Sequence, residues 1–227
     1  MSQFSSIRAV AAAVFLSISA VAYANPVLVQ NAFANAGTDA TVVSTGGPNT
    51  GTFRAGEFTG TIDGAAFTSY CIDLAQHFSF GSAYTNYSVG SGVSALGATK
   101  ATQLGELLTA AGGFALSTAS KSAALQGGIW EILYETSGSF ALGGGSFTIA
   151  PGNVLAADLT TVNGYLAHLG SYAPMSFTAY VSPTQQDFIT ANRLDFTTAN
   201  HVPEPSSLAL VAFALVGAGG VARRTRR

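Results

Sequence analysis

This sequence predicts an α+β domain: an antiparallel, barrel-like β-sheet with a helical insert, bounded by an apolar segment at each end. Three observations carry that class. From Val27 to Val89 the chain runs in short β-branched and aromatic stretches broken by turn residues. From Ala98 to Leu169 apolar residues recur at helical spacing. From Met175 to Thr197 the short strand-like stretches return. Strands, a helical block and strands again define α+β.

Val27–Gln30 and Thr41–Val43 are the first expected strands, and Gly46-Gly47-Pro48-Asn49 is a loop. Thr52–Ile62 and Ala65–Leu74 flank Asp63-Gly64, a pair suited to a two-residue hairpin turn. His77–Phe80 and Tyr84–Val89 continue the strand character. Leu104, Leu107 and Leu108 place a helix over Ala98–Ala111. A second helix is expected over Thr118–Glu135, its apolar stripe made by Leu125, Ile129, Ile132 and Leu133. Gly127 and Gly128 weaken it by about 1 kcal/mol each relative to alanine. Phe140–Ile149 predicts another hairpin, around Gly143-Gly144-Gly145. A third helix is expected over Asn153–Leu169, with Leu155, Leu159, Val162, Leu166 and Leu169 on one face. Met175–Val181, Phe188–Thr190 and Leu194–Thr197 close the domain as strands.

The two ends have a different character. Met1–Arg8 carries one positive charge, Ala9–Ala22 is small and apolar, and Ala22-Tyr23-Ala24 is an A-x-A cleavage site. Residues 1–24 therefore read as a secretory signal peptide for signal peptidase. At the other end, residues 202–227 run Val202-Pro203-Glu204-Pro205, an apolar stretch from about Ser207 to Ala222, then Arg223-Arg224-Thr225-Arg226-Arg227. The prolines break regular structure, and Ser206 or Ser207 suits a helix N-cap. Sixteen apolar residues span roughly 24 Å as a helix, a little under the ~30 Å hydrocarbon core. Arg223, Arg224, Arg226 and Arg227 stop such a transmembrane helix on the cytoplasmic side. A buried C-terminal core helix is the competing reading. It accounts less well for the abrupt basic end.

That order of Pro-Glu-Pro, apolar helix and arginines resembles the PEP-CTERM sorting signal of exopolysaccharide-producing Gram-negative bacteria. The resemblance implies an exosortase as partner, processing the tail near Pro203-Glu204-Pro205. It also implies inner-membrane anchoring before processing, and a final place at the cell surface or in the extracellular, biofilm-type matrix.

The part between the ends, residues 25–201, has the length of one domain. It holds four basic residues (Arg54, Lys100, Lys121, Arg193) and ten acidic ones, a net of −6. Phosphate binding needs clustered Lys and Arg, so nucleic acid is not an expected partner. No zinc spacing, Walker loop or dinucleotide fingerprint occurs, and no metal or cofactor is expected.

Cys71 is the single cysteine. Export leaves it without a disulfide partner in its own chain. It sits in Ser69-Tyr70-Cys71-Ile72-Asp73-Leu74, and Ala124-Leu125-Gln126-Gly127-Gly128-Ile129-Trp130 follows on the second helix. Together these stretches resemble the Cys-Gln thioester domains of bacterial surface adhesins over roughly Phe58–Ile149. Leu125 and Gly128 stand where that family usually has Thr and Ala. The resemblance implies a bond between Cys71 Sγ and the side-chain carbonyl of Gln126, formed with loss of ammonia. An amine or hydroxyl on a surface or matrix target would then open it.

The residue types suit that chemistry. A thiolate is a strong nucleophile, and close positioning makes an inert amide react. Trp130 lies one helical turn from Gln126 and is placed to shield the bond from water. Asp73 is expected on the strand face of Cys71, in reach of its proton. Gly127 and Gly128 are expected to let backbone approach the site. Two other readings stand beside this one. Cys71 can be a buried core thiol in a non-covalent matrix-binding protein. It can also pair with His77 or His168 in a cysteine hydrolase. No local protease motif supports the latter.

Overall fold

The computed structural model describes residues 25–35, 41–112 and 117–191. The expected signal peptide, the strand expected at Leu194–Thr197 and the expected transmembrane helix of the tail all lie outside them. Among the described residues, no helix is long and apolar enough to cross a membrane.

Local chemistry sets the strands. β1 (Leu28–Phe33) buries Leu28 and Gln30 on one face. β2 (Thr41–Thr45) turns through the glycine loop into β3 (Gly51–Arg54). The loop needs glycine, because Gly46 has φ +83° and a Cβ there would lie 1.9 Å from the Ser146 carbonyl oxygen. The single strand expected at Thr52–Ile62 is instead two. The chain leaves the ladder at Ala55-Gly56-Glu57 and resumes as β4 (Phe58–Ile62) in another sheet. Asp63 and Gly64, at φ 50° and 82°, make the tight turn into β5 (Ala65–Cys71).

His77–Phe80 forms no strand, and the stretch after it yields two short ones, β6 (Ala83–Tyr84) and β7 (Ser88–Ser91). These join β9 (Phe177–Val181) and β10 (Phe188–Ala191) in a seven-stranded antiparallel sheet of order β6-β1-β4-β5-β10-β9-β7. The sheet curls into a half-barrel. A cluster of rings fills it, with Phe58, Phe78 and Phe188 centred 5.2–5.7 Å apart.

The helical block lies between β7 and β9 in sequence. α1 (Gly92–Leu96) was not expected; Ser91 caps it, its hydroxyl accepting from the Ser94 N–H. α2 (Ala98–Ala111) and α3 (Ala119–Tyr134) follow the predicted bounds. Thr118 caps α3 through the Lys121 N–H. The helix is buried on almost every side, from Ser122 to Leu133. α4 (Ala156–Ala167) is shorter than expected, because Leu155 is its N-cap and stands 62% exposed.

The hairpin expected at Phe140–Ile149 does not form. Three of its backbone donors go to side chains of the helical block, Ala141 to Glu131, Leu142 to Asn163 and Phe147 to the α3 C-cap Glu135, while Gly144 and Ile149 donate to the Ala141 and Leu142 carbonyls. Ile149 then lies in β8 (Thr148–Pro151), which pairs with β2 in a three-stranded sheet β3-β2-β8. The class is α+β, as the sequence predicts.

Candidate functional site

The site begins where two strands part. β5 pairs with β4 through Ser69↔Phe58, and extending that register would set Cys71 opposite Gly56. Gly56 lies outside the ladder. The Ile72 N–H points to β10, donating to the Asp187 carbonyl at 2.9 Å. By strand alternation the Cys71 N–H and C=O therefore point the other way, to the side with no strand. Buried backbone groups need partners. Gln126 of α3 supplies them: its Oε1 accepts from the Cys71 N–H at 3.0 Å, and its Nε2 donates to the Cys71 carbonyl at 2.7 Å. The side-chain amide fills the place of a missing strand residue. Cys71 is 1% exposed and Gln126 fully buried.

The sulfur has its own contacts. The Cys71 thiol donates to the Asp73 carbonyl at 2.8 Å, and Sγ accepts from the Asp73 N–H at 3.4 Å. Gln186 Nε2 donates to Sγ at 2.6 Å and to the Asp73 carbonyl at 2.9 Å. Burial pushes the thiol up to about 12, against the opposing pull of the Asp73 backbone, Trp130 and Gln186, while the Asp73 charge raises it further. The resting group is therefore a protonated thiol.

The predicted site residues meet to different degrees. Cys71, Gln126 and Trp130 come together around a cavity of about 230 Å³, whose walls include Phe53, Phe58, Leu74 and Phe78. Trp130 is buried, with Phe53 edge-on at 6.1 Å. Its indole N–H is close enough to favour the thiolate but has no acceptor in full hydrogen-bond geometry. Tyr70 is buried in β5 beside Cys71 and alternates to the other face of the strand.

Asp73 is not on the strand face of Cys71, because β5 ends at Cys71. It meets the sulfur through its main chain, and its carboxylate instead accepts from the Ala75 N–H at 2.7 Å. The two glycines of α3 do not open the site to backbone either. A Cβ on Gly127 would meet Ile149 at 3.2 Å, and one on Gly128 would meet Val162 at 2.7 Å. They let α3 seat closely against its neighbours.

Gln186 escaped the sequence reading. It lies in the Pro183–Asp187 turn, and only its distance of two residues from Phe188, the register partner of Cys71, signals it. Tyr134 was also missed: its hydroxyl accepts from the Leu74 N–H at 2.9 Å and fixes the chain after the cysteine.

Other candidates stay apart. His77 lines the cavity, but among the described residues no histidine hydrogen-bonds to Sγ. His168 meets the Gly164 carbonyl on α4. Lys100 donates to the Leu133 carbonyl near the end of α3. No group of metal-binding side chains occurs among the described residues.

An α+β domain with a buried Cys-Gln pair defines a class of fold and site but not a biological setting. Residues 201–227 supply the setting, for they match the family model of the PEP-CTERM protein-sorting motif. That motif implies export to the cell envelope or surface and processing by exosortase. No curated protein and no solved structure matches the chain.

Proposed function

We propose that this exported protein attaches covalently to a partner through an internal thioester between Cys71 and Gln126. One observation carries the reading: both polar atoms of the Gln126 amide grip the main chain of the residue that bears the thiol. The grip also has chemical use. The Cys71 N–H rests on Oε1, the atom that gains charge as sulfur attacks the amide carbon. The Sγ–Cδ bond forms, the Cδ–Nε2 bond breaks, and the thiol proton leaves with the nitrogen as ammonia. An amine or hydroxyl of a surface or matrix target then displaces the sulfur and keeps the Gln126 acyl group. The event happens once per molecule, so it is attachment and not turnover. Trp130 and the aromatic walls would keep water from the bond. Before processing, the tail helix and its arginines would hold the protein in the inner membrane.

Intact mass of freshly purified protein tests this. A thioester predicts a deficit of about 17 Da, one ammonia, which Cys71→Ala and Gln126→Ala each abolish. An unshifted wild-type mass would sink the covalent reading. It would favour a non-covalent matrix-binding protein that uses the same aromatic cavity. A cysteine hydrolase is the least supported alternative, since among the described residues no histidine hydrogen-bonds to the thiol.

A further inference from the structure

We propose that Gln186 is the third member of this site, its side-chain amide holding the Cys71 sulfur while the bond to Gln126 forms and breaks. The inference rests on the covalent reading above and adds a residue to it.

The geometry separates the roles of the two glutamines. Gln126 has its carbonyl oxygen on the Cys71 N–H, which leaves its amide carbon as the electrophile. Gln186 turns its nitrogen to the sulfur, at 2.6 Å, and so acts as a donor. Its second N–H is accounted for by the Asp73 carbonyl at 2.9 Å. That carbonyl also receives the thiol proton, at 2.8 Å. Sulfur, Asp73 oxygen and Gln186 nitrogen thus form a closed triangle.

The triangle has a consequence through the reaction. When the thiol proton departs with ammonia, the Asp73 carbonyl loses one donor and keeps the other, from Gln186. When an amine later attacks, the new N–C bond forms at Gln126 Cδ and the Cδ–Sγ bond breaks. Sulfur leaves with the electron pair, and the amine proton then passes to it. At that moment the Gln186 and Asp73 N–H groups face the charge, with the Trp130 indole N–H close by. Hydrogen bonds to a charged atom are about twice as strong as neutral ones.

Gln186 is held in place from both sides. The Tyr87 hydroxyl donates to its carbonyl at 2.7 Å. The next residue, Asp187, accepts from the Ile72 N–H through its carbonyl and from the Ser182 N–H through its carboxylate. These contacts fix the main chain at Gln186, and the Asp73 carbonyl orients its side-chain amide, the kind of pre-organisation that stabilisation of developing charge requires.

The test uses full-length wild type, Gln186→Met, which keeps the shape without the N–H groups, and Gln186→Glu. Circular dichroism first checks folding. Methylamine then opens the bond, and mass spectrometry follows the adduct over time and maps it. Loss of the donor is expected to slow opening about tenfold or more in Gln186→Met, since hydrogen bonds to charged groups are the stronger ones. In Gln186→Glu the rate relative to wild type at the same pH should fall further as pH rises and the new side chain ionises beside the sulfur. A merely structural role gives no such pH profile. The methylamide should map to Gln126. A folded Gln186→Met that opens at the wild-type rate overturns the proposal, as does a methylamide at position 186. If Gln186→Met fails to fold, the pH profile of Gln186→Glu decides. An unshifted wild-type mass would refute the covalent reading instead. The alkylation rate of the free Cys71 thiol at one fixed alkaline pH then reports on Gln186: a slower rate in folded Gln186→Met keeps its sulfur-holding role, and an unchanged one removes it.

Discussion

Replacing Gly128 by alanine sets two physical effects of opposite sign against each other. In an isolated helix the change stabilises by about 1 kcal/mol. In this fold α3 lies against α2 and α4, and the added methyl would sit 2.7 Å from Val162 Cγ1 and 3.2 Å from Leu107 Cδ2. Val162 is β-branched and fully buried, and Leu107 is fully buried too. Neither has room to withdraw. Overpacking of a well-filled core costs about 1–3 kcal/mol. The net expectation is a loss of about 0–2 kcal/mol, up to several degrees in Tm for a domain of this size. Gly127→Ala is milder, since its nearest contact is the Ile149 methyl at 3.2 Å. Thermal and urea unfolding of the two full-length variants against wild type measures both. Because Gln126 lies two residues from Gly128, a shifted α3 should also slow loss of ammonia in the mass assay. A higher Tm for Gly128→Ala would refute the close seating of α3.

Two further outcomes are expected. Tyr134→Phe leaves the Leu74 N–H without its acceptor and should destabilise by about 1–2 kcal/mol in urea unfolding; an unchanged midpoint would show that solvent replaces the phenol. Burial pushes the Glu131 carboxyl up to about 7 from an ordinary value of 4.5, the Ala141 N–H opposing this and the Glu135 charge adding to it. The folded state then binds the proton more tightly than the unfolded one, so stability falls as pH rises from about 4.5 to 7 and levels off above. Glu131→Gln should flatten that slope relative to wild type between pH 5 and 8, and parallel slopes would contradict it.

Local signals made most of the fold readable. Leu104, Leu107 and Leu108 marked α2, Thr118 marked the start of α3, and Asp63-Gly64 marked the β4–β5 turn, each within a few residues of the structure it specifies. What escaped depends on partners far along the chain. The Gly143–Gly145 stretch carries a hairpin composition, yet Glu131, Glu135 and Asn163 take the donors of the residues that flank it. The split between β3 and β4 arises because the two halves serve different sheets. The same holds at the site. Cys71 and Gln126 were legible because each lies in a recognisable stretch, and the structure brings them into contact across 55 residues. Gln186 lies 115 residues from Cys71 in a turn of ordinary composition, and only the β5–β10 pairing carries it to the sulfur. Asp73 was misread because alternation was extended one step beyond the end of the strand.

The strand order also bears on how the domain is made. β10 is the last described strand in sequence, yet it sits between β5 and β9 in the middle of the sheet. A chain exported from its N-terminus cannot close that sheet until residue 191 has crossed. Until then the β5 edge beside Cys71 has no β10 to cover it, and Gln186 has only just arrived. Such long-range closure is intrinsically slow. The order of translocation thus delays assembly of the sulfur's surroundings until the whole domain is outside. The open β5 edge is available to other chains during that interval alone.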